Sequence, residues 1–170
     1  MFQNKRNKVN LFDAMNRGSL ILIHTAKDLL KQEGCEILGR FFIALIAQAA
    51  QERATIQEEE RTPTFVYIDE AHDYFDANME ILLEQARKYQ VGMIIAHQHL
   101  DQFDTSLRST VRTNTAIKLV GGLSSKDAAE LAKEMGCNPE FLLSTQNRHP
   151  MVTTPVKSAC NAVIAISLSR

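Results

Sequence analysis

Thr64-Phe65-Val66-Tyr67-Ile68-Asp69-Glu70 is the stretch on which the reading of this chain turns. Residues 64–68 are β-branched, aromatic or aliphatic, as in a buried strand, and the run stops abruptly on two adjacent acids. Downstream, Val91 to Ala96 (VGMIIA) and Ala116 to Val120 (AIKLV) repeat the pattern and end in His97-Gln98 and Gly121-Gly122. Upstream, Ser19 to Thr25 (SLILIHT) is a fourth run of the same kind. Helical patterns separate these runs. From Glu36 to Ala54 the residues are apolar nearly all round, which predicts a helix packed on more than one side. Ala77 to Gln90 carries Met79, Leu82, Leu83, Ala86 and Tyr89 on one stripe, with Glu84 and Lys88 paired at i,i+4. Asp104 to Arg112 is polar and compatible with a helix. Ser124 to Asp127 has capping-box spacing ahead of Ala128, Leu131, Ala132 and Met135, a stripe that Gly136 ends. Asn138-Pro139 then opens a short helix through Leu143. Strands alternating with helices at this spacing imply βαβ units: an α/β fold with a mainly parallel sheet, covered on both faces. Arg148 to Ser167 mixes β-branched residues with Pro150 and Pro155 and reads as a C-terminal edge hairpin.

The 170 residues are 45 % apolar and 23 % charged, which suits one globular domain with a real core and excludes disordered, collagen-like and coiled-coil chains. Residues 1–170 are therefore read as a single domain. With a net charge of −1, any polyanion must be met by a local patch rather than by the whole surface. Cys35, Cys137 and Cys160 are too few and too scattered for a disulfide framework or a zinc site, and fit the reduced thiols of a cytoplasmic protein. The most apolar stretch, Phe41 to Ala47 (FFIALIA), falls far short of the ~20 residues that cross a bilayer, so no membrane segment is expected. Lys5, Arg6, Lys8 and Arg17 make the N-terminus basic. No apolar region of an export signal follows them; they could touch DNA, but a solvated terminus is the better reading.

In parallel sheets ligands sit at the carboxyl ends of the strands, and the polar residues here collect where each run stops: Thr25, Asp69-Glu70, His97-Gln98 and Gly121-Gly122. A buried strand ending in Asp-Glu is the Walker B arrangement of nucleotide hydrolases. In it the first acid, Asp69, holds Mg²⁺ through its water shell, and Glu70 orients and polarises the water that attacks the γ-phosphate. The alternative for the pair is an ordinary solvated strand end. Gln98 ends the next strand, where an amide could contact the γ-phosphate, and Thr25 and Asp69 are the candidate cofactor contacts. Arg87 lies near the end of a helix that runs antiparallel to the strands, so it sits away from its own chain's site. It could reach a neighbouring subunit's phosphates, or it could simply pair with Glu84. Arg108 and Arg112 are weaker candidates for that role. No G-x-x-x-x-G-K-[ST] occurs. Gly121-Gly122-Leu123-Ser124-Ser125-Lys126 has the wrong spacing, and its serines are better used as a helix cap. The chain alone is thus expected neither to bind ATP tightly nor to hydrolyse it.

Taken together, ILIHTAKDLL, EILGRFFIALIAQAAQERA, FVYIDEAHDYF, ILLEQARKYQVGMIIAHQHLDQF and TNTAIKLVGGLSSKDAAELAKEMG resemble the HerA/FtsK class of RecA-like ATPases. Within that class the likeness is to conjugative type IV secretion coupling proteins (TraG/TraD-like) and HerA-like DNA translocases. It covers about residues 10–145 and is most specific from Asp69 to Gln98. The resemblance implies a three-layer αβα core in hexameric rings that hydrolyse ATP with Mg²⁺ to drive DNA through a pore, in the cytoplasm or at the inner face of a membrane beside secretion or transfer machinery. It also implies Asp69 and Glu70 as the Walker B pair, Gln98 as the γ-phosphate sensor and Arg87 as the arginine acting in trans. The Walker A strand and loop lie upstream of this pattern, so the chain looks like the C-terminal part of such an ATPase, incomplete at its N-terminus, with residues 146–170 as a tail. Two other readings compete. Asp69-Glu70-Ala71-His72 spells the DEAH box of superfamily 2 helicases, but the next strand ends Ala96-His97-Gln98 where those proteins carry a Ser-Ala-Thr-type motif. The other is a non-catalytic α/β interaction domain in which the two acids merely cap a strand.

Overall fold

Three of the four apolar runs pair into a sheet. The computed structural model describes residues 9–25, 27–103, 105–115, 117–144, 151–153 and 162–166. Strands β1 (Thr64–Ile68), β2 (Val91–His97), β3 (Ile117–Val120), β4 (Met151–Thr153) and β5 (Ala162–Ile166) form one five-stranded sheet in the order β1-β2-β5-β3-β4. β1, β2, β5 and β3 are parallel, and β4 is an antiparallel edge on β3. The fold is mixed α/β with a mainly parallel sheet. Residues 148–167 do not form the expected hairpin. β4 and β5 never pair with one another, because β5 inserts between β2 and β3, where it satisfies backbone groups on both sides. The rest of that segment lies outside the described residues.

Among the described residues six helices accompany the strands: α1 (Leu11–Asn16), α2 (Lys27–Glu52), α3 (Ala77–Gln85), α4 (Thr105–Asn114), α5 (Ser125–Met135) and α6 (Pro139–Ser144). Local chemistry sets their ends. Asp76 caps α3 by accepting hydrogen bonds from the Asn78 and Met79 amides, and Ser124 caps α5 by accepting from the Asp127 amide. Gly136, at φ 63°, terminates α5 as expected. After Gln85 the α3 helix tightens into a 3₁₀ turn, Ala86–Tyr89. That change of pitch breaks the i,i+4 spacing, and the expected Glu84–Lys88 pair does not form; Lys88 lies instead 5.5 Å from the centre of the Tyr89 ring.

The buried core lies wholly on one face of the sheet. Val91, Met93 and Ile95 of β2 and Val120 of β3 are buried there among side chains from all six helices. On the other face Phe65 and Tyr67 are 63 % and 75 % exposed, and Ile94, Ile117 and Leu119 are half-buried. The sequence leads to the expectation of helices on both faces; among the described residues they cover one. Chain direction explains this for the two parallel crossovers. From β1 through α3 to β2, and from β2 through α4 to β3, the chain advances the same way across the sheet, and right-handed crossovers in one direction put α3 and α4 on one side.

Two further expectations are corrected. Ser19–Thr25 is extended but pairs with no strand. Its lower end is tied where Thr62 Oγ1 donates to the Asn16 carbonyl (2.8 Å) and its upper end where Cys35 Sγ donates to the Thr25 carbonyl (3.2 Å). Between these ties it stands off from β1 across a cavity of about 420 Å³ lined by Ile21, Ile23, Ile46 and residues 64–67, leaving Leu20 and Leu22 each 89 % exposed. The α2 helix is also less enclosed than its composition suggests, since Leu29, Ile37 and Phe41 form an exposed outer stripe. It starts earlier than expected and is broken at Lys31, where φ 59° and ψ 176° fall in a region that only glycine enters freely, at a cost of about 1–3 kcal/mol.

The helix meets the turn after β1 at Gly39. A Cβ there would lie 2.3 Å from the ring of Tyr74, which is itself buried. Gly39→Ala should therefore lower stability by about 2 kcal/mol through overpacking, although alanine is the better helix former by about 1 kcal/mol. Urea unfolding measures this, and an unchanged or higher midpoint would mean that Tyr74 does not press on α2.

Candidate functional site

Parallel pairing of β1 with β2, with Ile68 opposite Ile95, brings the ends of the two strands side by side. Asp69 leaves β1 exposed, its Oδ1 accepting a hydrogen bond from the Glu70 amide at 3.0 Å. Glu70 adopts a left-handed conformation (φ 49°, ψ 46°), uncommon for a residue with a Cβ, and this turns its carboxylate toward β2. There Gln98 Nε2 donates to Glu70 Oε1 at 2.5 Å. Gln102 fixes the turn that carries Gln98, its Oε1 accepting from the Gln98 and His99 amides at 3.1 and 3.0 Å. The structure thus joins two of the residues singled out in the sequence, Glu70 and Gln98, directly.

A second layer of polar groups lies behind the acids. His72, on the 3₁₀ turn Ala71–Tyr74, places Nδ1 3.5 Å from Glu70 Oε2 and Nε2 3.2 Å from Asp73 Oδ1. Asp73 is 9 % exposed and accepts from Lys27 Nζ and Gln32 Nε2, both at 2.9 Å, while Arg40 Nη2 donates to its carbonyl at 3.3 Å. Burial pushes the Asp73 carboxyl upward, but the hydrogen bonds from Lys27 and Gln32 and the charge of His72 outweigh it and hold the group below its ordinary value. The hydrogen bond to Asp73 in turn raises Lys27. His72, Asp73, Lys27 and Gln32 were not singled out from the sequence. The crowding of titratable groups in DEAHD was a signal for the first two. Lys27 and Gln32 carried none, because both reach Asp73 only through the break at Lys31.

Thr25 and Asp69 line one cavity of about 270 Å³ at the carboxyl end of β1, together with Ile23, Phe42, Ile68 and Tyr74. Thr25 Oγ1 is 3.5 Å from the Tyr74 hydroxyl. These two candidate cofactor contacts are thus neighbours. Arg87 is not brought near them. It is exposed on the 3₁₀ turn that precedes β2, at the amino end of the sheet, where Arg53 and Arg61 donate to the Tyr89 and Lys88 carbonyls. It makes no ion pair with Glu84, whose partner position is lost with the change of helix type. Arg108 and Arg112 are engaged within the chain, the first with Asp101 and Glu130, the second with Glu130 and Glu134. Lys126, beside Gly121-Gly122, pairs with Asp101 at 2.6 Å.

Among the described residues no three His, Cys, Asp or Glu side chains are grouped to hold a metal ion. A single exposed carboxylate such as Asp69 suits Mg²⁺, which keeps most of its own water. Glu70, occupied by Gln98 and facing His72, is not placed as a second direct ligand. Cys35 and Cys137 are free thiols, while Cys160, Lys5, Arg6 and Lys8 lie outside the described residues. No described helix is long and apolar enough to cross a membrane. No protein-family model matches the chain, and no curated protein or solved structure does either.

His97, the last residue of β2, is 2 % exposed and buries both ring nitrogens without a well-formed hydrogen bond, its ring centre 4.6 Å from that of Phe103. Burial pushes the imidazole down to about 4, against a weaker opposing contact from the His99 backbone. His72, His99 and Asp127 are the charged groups that act on it. An unfolded chain takes up a proton near pH 6.5 that the folded chain refuses until about pH 4, so folding is penalised progressively across that window. Roughly 3 kcal/mol of stability should be lost between pH 7 and pH 4 through this residue. His97→Leu should flatten that part of the stability profile in urea melts, and an equally steep acid loss in the variant would assign it elsewhere.

Proposed function

We propose that this chain is part of the core of an ATP-driven DNA-translocating motor, the C-terminal portion of a RecA-like ATPase of the HerA/FtsK class. The observation that carries the reading is the hydrogen bond from Gln98 to Glu70 across neighbouring strand ends, with Asp69 exposed beside it. An acid pair at one strand end, coupled to an amide at the next, allows the state of a bound phosphate to be felt by the acid that activates water. In the complete motor Mg²⁺-ATP would supply the electrophilic γ-phosphoryl group. Asp69 would hold the metal's water shell, Glu70 would accept a proton from the attacking water, and Gln98, released from Glu70, would contact the phosphate. The residues present fit this hydrolytic half. They do not supply the other half, because no phosphate-cradling loop occurs in the sequence.

Two features suit a subunit of a larger RecA-like assembly. Arg87 is exposed at the sheet end opposite the acids, so a neighbouring subunit is the only acid site it could serve. The uncovered sheet face around Phe65 and Tyr67 leaves room for the second helical layer that a three-layer core requires. That open face also suits the competing reading, a non-catalytic interaction domain, in which it would receive a protein partner.

Mg²⁺ titration of the chain itself tests the site. Backbone amide resonances of Asp69 and Glu70 should shift at millimolar Mg²⁺ and cease to do so in Asp69→Asn; no shift would leave the acids as a strand cap. The chain alone should show no ATP turnover above a Glu70→Gln control. In a polypeptide that also carries the phosphate loop, Glu70→Gln should retain ATP without turnover. Arg87→Ala subunits mixed with Glu70→Gln subunits should recover part of the activity, and absence of rescue at every ratio would remove Arg87 from the mechanism.

A further inference from the structure

We propose that the first turn of α2, residues 27–30, is a latch that holds Thr25 in the wall of the cavity at the carboxyl end of β1, hinged at Lys31 and caught by Asp73. On an unbroken helix Lys27 and Gln32, five residues apart, would point about 140° away from each other and could not grip one carboxylate. Here both do. Lys27 Nζ binds Asp73 Oδ2 and Gln32 Nε2 binds Asp73 Oδ1, each at 2.9 Å. The break at Lys31 makes this possible, and it holds a lysine at φ 59° and ψ 176°, where glycine alone is at ease. Strain at the hinge favours release of the turn, and the two bonds to Asp73 oppose it.

The turn also carries what it would uncover. Thr25, two residues before it, is a wall of the 270 Å³ cavity that contains Asp69 and Tyr74. The Thr25 carbonyl accepts the Cys35 thiol at 3.2 Å, and Cys35 is fully buried. If the turn swings out at Lys31, Thr25 leaves the cavity and the Cys35 sulfur meets solvent. Asp73 touches His72, which faces Glu70, so the catch is continuous with the polar groups of the acid pair. The latch would therefore set the width of the cavity beside Asp69, whose carboxylate is itself exposed. The latch needs no nucleotide and does not depend on the proposed function.

The test is the reaction of Cys35 with a thiol reagent in the full chain carrying Cys137→Ser and Cys160→Ser, followed with and without low urea. Asp73→Asn should speed labelling at least tenfold, with a rate nearly independent of urea, as expected for local opening. Lys31→Gly should slow it at least threefold, because the hinge then rests without strain, while Lys31→Ala should change it little. If Asp73→Asn fails to fold, the two Lys31 variants decide. Labelling that follows global unfolding in every variant, or an equal or faster rate in Lys31→Gly, would overturn the latch. Neither result bears on Mg²⁺ binding at Asp69, so the two proposals fail separately.

Discussion

The parallel pairing of Thr64–Ile68 with Val91–Ile95 is the constraint on which the site depends. The register sets Ile68 opposite Ile95, so the two residues that follow Ile68 run alongside the last two of β2, and Glu70 is delivered within reach of Gln98. The amino ends are fixed just as firmly. The buried Arg53 guanidinium donates to the Tyr89 carbonyl at 2.9 Å and to Thr64 Oγ1 at 2.7 Å, tying the entrance of β1 to the turn that feeds β2. With the register held at that end, a slip of one residue would bury Phe65 and Tyr67 and expose Val66 and Ile68. It would also part Glu70 from Gln98. The hydrogen bond at the top of the sheet is thus a consequence of the packing at its base.

The same pairing sets what the chain can cover. Both parallel crossovers advance in one direction and so place α3 and α4 on the face of Met93, Ile95 and Val120, where the other described helices also pack; the opposite face is left with exposed aromatic side chains. Phe65 partly compensates by lying across Gly92, its cross-strand neighbour, where a Cβ would come within 2.7 Å of the ring. A mainly parallel sheet with one bare face is an incomplete burial problem, and helices arriving from connections in the other direction are its ordinary solution.

Much of this was legible in the chain. Thr64–Ile68, Val91–His97 and Ile117–Val120 announced themselves by apolar runs with polar stops, and the caps at Ser124 and Gly136 by residue type, because local chemistry decides these features. Periodicity cannot say whether an apolar extended run finds a partner. Ser19–Thr25 has a strand's composition, yet its ties at Asn16 and Thr25 hold it off β1. The destination of Ala162–Ile166 was equally hidden, since insertion between β2 and β3 is a property of the sheet and not of the inserted segment. At the site, Asp69, Glu70 and Gln98 could be found because they immediately follow strands. The supporting layer could not, because Lys27 and Gln32 converge on Asp73 through a backbone conformation that lysine rarely takes.

Among the described residues, two of the three non-glycine residues with positive φ, Lys31 and Glu70, flank the same few side chains. Each is unfavourable alone, and each is held by a polar contact that the strained conformation itself makes possible: Gln98 with Glu70, and Lys27 and Gln32 with Asp73. His72 lies between the two, 3.5 Å from one carboxylate and 3.2 Å from the other. Loss of Gln98 to another partner would free Glu70 Oε1 and let that carboxylate move relative to His72, and hence disturb the contact of His72 with Asp73. Strain at one end and at the other are in this way joined through one imidazole. Whatever relieves either strained residue therefore removes part of what holds the other.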